Sequence, residues 1–325
     1  MHKIDLITGF LGSGKTTFIR KYVEYLLSLG ERIGIIENDF GAINVDRVLL
    51  KDVLGDKCGM EMIIGGDDLD THKRRMKTKL IAMAMNGYER VIIEPSGIFD
   101  VDELFDLLYE EPLDRMYEMG SVITVVDGAL MYALKDTETD LSEESRYLIC
   151  AQCACAGKIV LSKLDVIEKN DTDRGIERSM ARINTCLEEF KCKRIIQEND
   201  CVAVCLTDID PETIRTIADC GYKRFSHVKI PVIDSGHYGS KFCYHLELTY
   251  DELVHALKGV FSSRECGNIF RIKGYMNTKD RGWIEINSTP EDPVCILPAD
   301  ESENVIIIIG ENMSTEAIQK YIPIQ

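Results

Sequence analysis

Over its first two-thirds the chain alternates short apolar runs with longer stretches in which apolar positions recur every three to four residues. The runs are Ile4 to Thr8, Arg32 to Glu37, Glu61 to Ile64, Arg90 to Glu94, Ser121 to Asp127 and Lys158 to Ser162, with a further candidate at Val202 to Leu206. Between them the spacing predicts helices near Lys15 to Ser28, Leu69 to Met85, Val101 to Leu108, Ser142 to Cys155 and Asp173 to Phe190. Strands and helices in alternation predict an α/β fold, a mostly parallel sheet flanked by helices. Beyond about Lys223 the order changes. Strand-like runs at Val228 to Ile233, Phe242 to Leu248, Ile269 to Tyr275, Trp283 to Asn287 and Val305 to Ile309 accompany helices that start at Tyr250 and Ser314. That pattern predicts a smaller α+β domain, so the expected division is 1–224 and 225–325. No internal repeat or low-complexity tract interrupts it.

The loop after the first run carries the sharpest chemical signal. Gly9-Phe10-Leu11-Gly12-Ser13-Gly14-Lys15-Thr16 is a complete G-x-x-x-x-G-K-[ST] phosphate loop. Its glycines let the backbone curl until several N–H groups face the phosphates, and the helix that follows presents its positive end to them. Gly12, Ser13, Gly14, Lys15, Thr16 and Thr17 are the expected phosphate contacts. Lys15 would reach the β- and γ-phosphates, and the Thr16 hydroxyl would ligate Mg²⁺. The fold class expected is therefore that of a P-loop NTPase with a C-terminal α+β domain.

Charge and cysteine content narrow the setting. With 38 Lys and Arg against 55 Asp and Glu the net charge is −17, which argues against a general affinity for nucleic acid or anionic membranes. No stretch approaches the length of a membrane span, and the first strand leaves no room for a signal peptide, so the expected location is the cytoplasm. The 12 cysteines are then expected to be reduced thiols. Cys150, Cys153 and Cys155 have a metal-like spacing but fall on a helix that leads into a strand, where small buried side chains are the favoured reading.

Further landmarks follow in the order expected of a GTPase. The second run ends in Glu37-Asn38-Asp39-Phe40-Gly41, which places carboxylates and a glycine on the phosphate-loop side of the sheet, the position of a switch loop. The run Val91-Ile92-Ile93 ends in Glu94-Pro95-Ser96-Gly97. Glu94 is placed there to hold Mg²⁺ through water, and Gly97 to offer an N–H near the γ-phosphate. Ser162-Lys163-Leu164-Asp165 is a variant of the N-K-x-D guanine-reading motif, with Ser162 in place of Asn. Asp165 can accept hydrogen bonds from the guanine N1–H and amino group, while the Lys163 stem covers the base.

Together these segments resemble the CobW family of P-loop GTPases, relatives of the nickel-insertion GTPases that serve urease and hydrogenase. The resemblance rests on the loop at 9–17, Glu37 to Gly41, Glu94 to Gly97, Val125-Val126-Asp127 and Gln152 through Asp165. The run Arg271-Ile272-Lys273-Gly274, followed by Trp283, is similar to the R-x-K-G signature of the family's small C-terminal domain. It implies a protein that couples GTP binding and hydrolysis to delivery of a metal, or a metal-bearing cofactor, to a client protein. It departs from the family at one place. Where family members carry a C-x-C-C motif, this chain reads Gly65-Gly66-Asp67-Asp68-Leu69-Asp70-Thr71-His72. Asp68, Asp70 and His72 can form a harder site for Zn²⁺, Co²⁺, Mn²⁺ or Fe²⁺. The favoured alternative is that Asp67 and Asp68 cap the next helix while His72 lies at the surface.

The reading that follows is in-line attack of water on the γ-phosphate, with Lys15 and Mg²⁺ balancing charge, and Glu37 or Asp39 positioning water or sensing metal. Turnover is expected to be slow without a partner. Two alternatives stand beside it: a GTP-driven switch that activates a client without carrying metal, and a small-molecule kinase. The kinase would use the cations at 72–79 for its acceptor, where a solvated helix face is the commoner explanation. The glycine spacing excludes a nicotinamide fingerprint. Homodimerisation is left open by the sequence.

Overall fold

The computed structural model describes the chain apart from residues 11, 40–49, 51–52, 65–68, 96–100, 134–140, 167–171, 231–237, 291, 300, 302–303 and 324–325. It divides into two compact units, Met1–Pro231 and Val232–Gln325.

The first unit is built on seven strands, β1 (His2–Thr8), β2 (Ile33–Asp39), β3 (Cys58–Ile64), β4 (Arg90–Glu94), β5 (Tyr117–Asp127), β6 (Lys158–Ser162) and β7 (Cys201–Ala203). They lie in the order β3-β2-β4-β1-β5-β6-β7 and every pairing is parallel. The helices are α1 (Lys15–Ser28), α2 (Leu69–Met85), α3 (Val101–Leu108), α4 (Leu113–Met116), α5 (Gly128–Ala133), α6 (Glu143–Cys155), α7 (Thr172–Glu189) and α8 (Pro211–Ile217). No helix among the described residues is long and apolar enough to cross a membrane.

The continuous apolar strands have a direct cause. Ile4, Leu6, Ile36, Val91 and Ile93 face one layer with Met76, Leu80 and Met83 of α2 and Leu104 and Phe105 of α3. Their neighbours Ile7, Ile35, Ile92, Ile123 and Val125 face the other, packed on Phe18, Ile19, Tyr22, Val23 and Leu26 of α1. A strand covered on both faces has no polar side to show, so the alternation of a half-exposed strand is absent.

The second unit is an antiparallel sheet of β8 (Tyr238–Tyr244), β9 (Asn268–Thr278), β10 (Gly282–Ser288), β11 (Ile296–Pro298) and β12 (Val305–Glu311), in the order β11-β10-β9-β12-β8. Helix α9 (Tyr250–Ser262) lays Leu253, Leu257 and Val260 on Ile272, Met276, Ile284, Ile306 and Ile308, and α10 (Thr315–Gln319) adds Ala317 and Ile318. Thr249 and Glu252 form a reciprocal capping box at the start of α9. In the R-x-K-G run Gly274 has φ +148°, and a Cβ there would stand 2.1 Å from the Val305 carbonyl oxygen. Only glycine lets β9 pass β12 so closely.

The five long helices foreseen from periodicity fall within a residue of their observed limits. The strands are less well placed. β3 starts at Cys58 and β5 at Tyr117, ahead of the expected starts, and β7 is three residues long and ends at Ala203. Residues 228–230, expected to open a strand, have no regular structure, and 231–233 lie outside the described residues. The polar residues Glu118 and Gly120 in β5, and the glycine at position 59, masked the strand pattern at these ends.

Candidate nucleotide-binding site

All seven parallel strands point their C-terminal ends the same way, and the predicted phosphate contacts gather at that edge around β1 and α1. Gly9 has φ +151°, and an added Cβ would meet the Val125 carbonyl oxygen at 2.3 Å and Ser13 Oγ at 2.7 Å. The loop therefore turns over the end of β5 with no room for a side chain. Lys15 and Thr16 open α1 and are 8% and 6% exposed. Lys15 Nζ donates to the carbonyls of Gly9 (2.9 Å) and Phe10 (3.4 Å). The ammonium is thereby held inside its own loop by neutral acceptors that a phosphate oxygen would replace. No acid lies in the first turn of α1, which leaves the positive helix end uncompensated by its own side chains. Ser13 Oγ is buried and makes no hydrogen bond. A buried hydroxyl left so is costly unless a ligand satisfies it. Gly12, Gly14 and Thr17 are half-buried around this cradle.

Carboxylates stand beside it. Glu94 ends β4 and Glu37 lies opposite it in β2, both buried. Thr16 Oγ1 lies 3.5 Å from Glu94 Oε1. A buried hydroxyl and a buried carboxylate at this spacing are hard oxygen donors of the kind Mg²⁺ prefers. The second candidate carboxylate, Asp39, belongs to β2 by its backbone, but its side chain and Gly97 lie outside the described residues.

The Ser162–Asp165 segment is tied to the same edge. Ser162 Oγ lies 2.7 Å from the Ser13 carbonyl and 3.1 Å from that of Val126, sharing its proton between them. Ser162, which stands in place of Asn, thus joins the turn after β6 to the phosphate loop. Lys163 adopts φ +59°, uncommon for a residue with a side chain, and its Nζ lies 2.5 Å from Asp127 Oδ2. The other Asp127 oxygen accepts from Leu130 N at 2.9 Å, which fixes the carboxylate at the start of α5. Asp165 sits in a single 3₁₀ turn, Leu164–Val166, and is exposed. Thr8 and Thr124 bond each other at 2.8 Å, and Thr124 donates on to the Gln152 carbonyl at 3.0 Å, which links β1, β5 and α6. Sequence reasoning gave Asp127 no role. Its signals were an acid at the C-terminal end of an apolar run and its place in the family-like segment Val125-Val126-Asp127.

The second-metal candidates fall only partly within the described residues. Asp68 and the Asp70 side chain lie outside the described residues. His72 is half-buried on α2, where burial and the nearby Arg75 lower its pKa. Among the described residues no group of three or more His, Cys, Asp and Glu side chains is placed to hold a metal ion. Cys150, Cys153 and Cys155 are buried in α6, as the packing reading expects. Burial pushes the Cys150 and Cys153 thiols up, and that of Cys58 to about 12, so all three are protonated at neutral pH.

A glycine-rich loop between β1 and α1, at the C-terminal edge of a parallel sheet, defines a P-loop nucleotide-binding domain. The profile of the CobW/HypB/UreG nucleotide-binding domain matches residues 3–190, and the chain belongs to that family. Among curated relatives, zinc chaperone CobW of Sinorhizobium sp. is 31% identical over 188 residues, which cover 50% of this chain and 51% of the relative. Zinc-regulated GTPase metalloprotein activator 1 of Schizosaccharomyces pombe is 23% identical over 354 residues, 95% of this chain and 82% of the relative. The chain spans about half the length of the bacterial curated relatives it matches. Among solved structures, the Zn(II)-bound YjiA GTPase from E. coli aligns with a TM-score of 0.41 and 17% identity, over 98% of this chain and 97% of that one.

Proposed function

We propose that this protein binds GTP with Mg²⁺, hydrolyses it slowly, and uses the nucleotide state to govern delivery of a metal ion or metal-bearing cofactor to a client protein. The observation that carries the reading is the convergence on one sheet edge of Lys15, Thr16 and Glu94 with the Ser162–Asp165 turn. Thr16 Oγ1 and, through water, Glu94 are the residues that would hold Mg²⁺, which when bound adds positive charge beside the phosphates. The chain's own part is positioning. Loop N–H groups and the α1 N-terminus bind the phosphates, Lys15 exchanges its carbonyl partners for phosphate oxygens, and Asp165 and Lys163 hold guanine. Water then forms a bond to the γ-phosphorus as the bond to the β–γ bridging oxygen breaks. GDP leaves, and the proton of the water passes to the released phosphate. Glu37 and Asp39 are the carboxylates assigned to orient that water, and a partner would complete the site.

Support for metal delivery comes from the family and from the curated relatives that are called zinc chaperones. The absence of cysteine at 65–72 supports a second reading, in which nucleotide state gates a client that already holds its cofactor. Lys15→Ala should lower GTP turnover at least about 100-fold; full turnover in that variant would refute the nucleotide assignment. Calorimetry of Zn²⁺, Co²⁺, Mn²⁺ and Fe²⁺ with the reduced protein, with and without Mg·GTP, separates the two readings. GTP-dependent binding supports delivery, and no binding beyond Mg²⁺ supports the switch.

A further inference from the structure

A cavity of about 500 Å³ opens between β3 and α2, and its lining residues are not those of the phosphate loop. Its volume falls within the range of about 300–1,000 Å³ usual for ligand pockets. Half-buried Met62 of β3 gives it an apolar side, backed by the core residue Ile63. The facing wall is Thr71, Arg74, Arg75, Thr78 and Lys79, one stripe of α2 at helical spacing. The opposite stripe of that helix, Met76, Leu80 and Met83, is buried in the core. The orientation of α2 is thus fixed by its apolar face, and the cationic face is turned to the cavity as a consequence.

The charge of this wall is out of keeping with the rest of the chain. The protein carries −17 overall, yet positions 73–79 hold Lys73, Arg74, Arg75, Lys77 and Lys79 without one acid. Lys77 pairs with Glu110 at 3.0 Å, and Lys79 pairs with Glu61. Arg74 and Arg75 are exposed, and Arg74 has no ion pair among the described residues. β3 is also the outermost strand of its sheet, with no strand among the described residues on its free edge. A cationic rim, an apolar side and a free strand edge are together suited to an extended peptide that brings carboxylates and an apolar side chain. The overall negative charge opposes a long polyanion such as RNA, and Met62 and Ile63 offer nothing to a bare phosphate.

We propose that the cavity between β3 and α2 docks an acidic segment of a protein partner, seating an apolar side chain on Met62 and carboxylates on Arg74 and Arg75. This goes beyond the nucleotide reading and does not depend on it. The test is fluorescence anisotropy of the full chain with fluorescein-labelled peptides of about ten residues. One alternates Glu with Leu, the second replaces Leu by Ser, and the third replaces Glu by Lys. Micromolar binding of the first is expected, at least tenfold weaker binding of the second and none of the third. Affinity for the first should fall as salt rises from about 50 to about 300 mM. The double variant Arg74→Glu, Arg75→Glu should weaken it at least tenfold while GTP affinity stays within twofold. Met62→Ser, which leaves the charges in place, should weaken it about fivefold. Binding unchanged in both variants, equal binding of the Ser peptide, or displacement of the peptide by equimolar tripolyphosphate would each overturn the proposal.

Discussion

The two ends of the parallel sheet both bury charge, but they do different things with it. At the end where the strands begin, Asp5 is fully buried and accepts from Arg90 (2.7 Å), Tyr22 (2.8 Å) and the Ser121 backbone N–H (2.7 Å). Arg90, 2% exposed, bonds Glu31 at 2.8 Å and Asp219 at 3.1 Å as well, and Lys3 bonds the same Asp219 oxygen. Burial and the Asp5 carboxylate together push the Tyr22 phenol well above its usual range. At the end where the strands finish, Lys15 is held by carbonyls of its own loop and Ser13 Oγ is buried with no bond. The first cluster pairs Asp5, Arg90 and Tyr22 with one another, although Ser121 Oγ beside them makes no hydrogen bond, and it pins residue 219 to β1 and β4 and so serves the fold. The second gathers the Lys15 ammonium, the Thr16 hydroxyl and the buried Glu37 and Glu94 carboxylates beside the glycine-rich loop. A buried cluster whose opposite charges pair with one another is structural, and one that sets a cation, a hydroxyl and carboxylates on a glycine-rich loop is suited to a phosphate and its metal.

This contrast can be broken by experiment. The largest effect is expected from Arg90→Met, which leaves Asp5 buried without its ion-pair partner and should cost about 3–5 kcal/mol in urea unfolding. GTP affinity of the remaining folded protein should not change; a loss below about 1 kcal/mol would show that the closed cluster is not structural. Next comes Asp127→Asn, which releases Lys163 from its anchor. GTP affinity should fall about tenfold, or about 1.4 kcal/mol, with ATP affinity unchanged, as measured by competition with a fluorescent nucleotide. Equal loss of both nucleotides would reassign Asp127 to the fold. The smallest effect concerns Asp219. Burial pushes its pKa up, but hydrogen bonding to Lys3 and the Arg90 charge outweigh that, and the net shift is downward. A carboxylate depressed in the folded state contributes stability that is full above the unfolded value of about 3.9 and is lost as pH falls through the lower folded value. Because Asp219 is half-exposed, the effect should be small: Asp219→Asn should flatten the fall of the urea midpoint below about pH 4. An unchanged acid profile would remove Asp219 from the cluster.

Much of this was legible from residue order, for particular reasons. The phosphate loop could be read because its chemistry is local: Gly9 to Thr16 are consecutive and each has a role set by its neighbours. Helix α6 could be bounded because Ser142 caps it by accepting from Ser145 N. Cys150, Cys153 and Cys155 were readable as packing because they precede an apolar strand on a helix that must face the sheet. The start of β5 was not readable, since Glu118 and Gly120 interrupt its apolar run and only pairing with β1 makes Tyr117 to Met119 a strand.

The sequence by itself determined the α/β class, the long helices, the nucleotide loop and the family, because periodicity and short motifs act over a few residues. Only the tertiary structure decided that Ser162 bonds the phosphate loop 149 positions away, and that Asp127 holds Lys163 across neighbouring strands. It alone joined Asp5 to Arg90, and it alone set a cationic face of α2 against the apolar end of β3. Such pairings depend on strand order and on which face of a helix the core claims, and a crossover connection of any length can produce them. No local pattern encodes a contact whose two halves are brought together by the burial of everything between them.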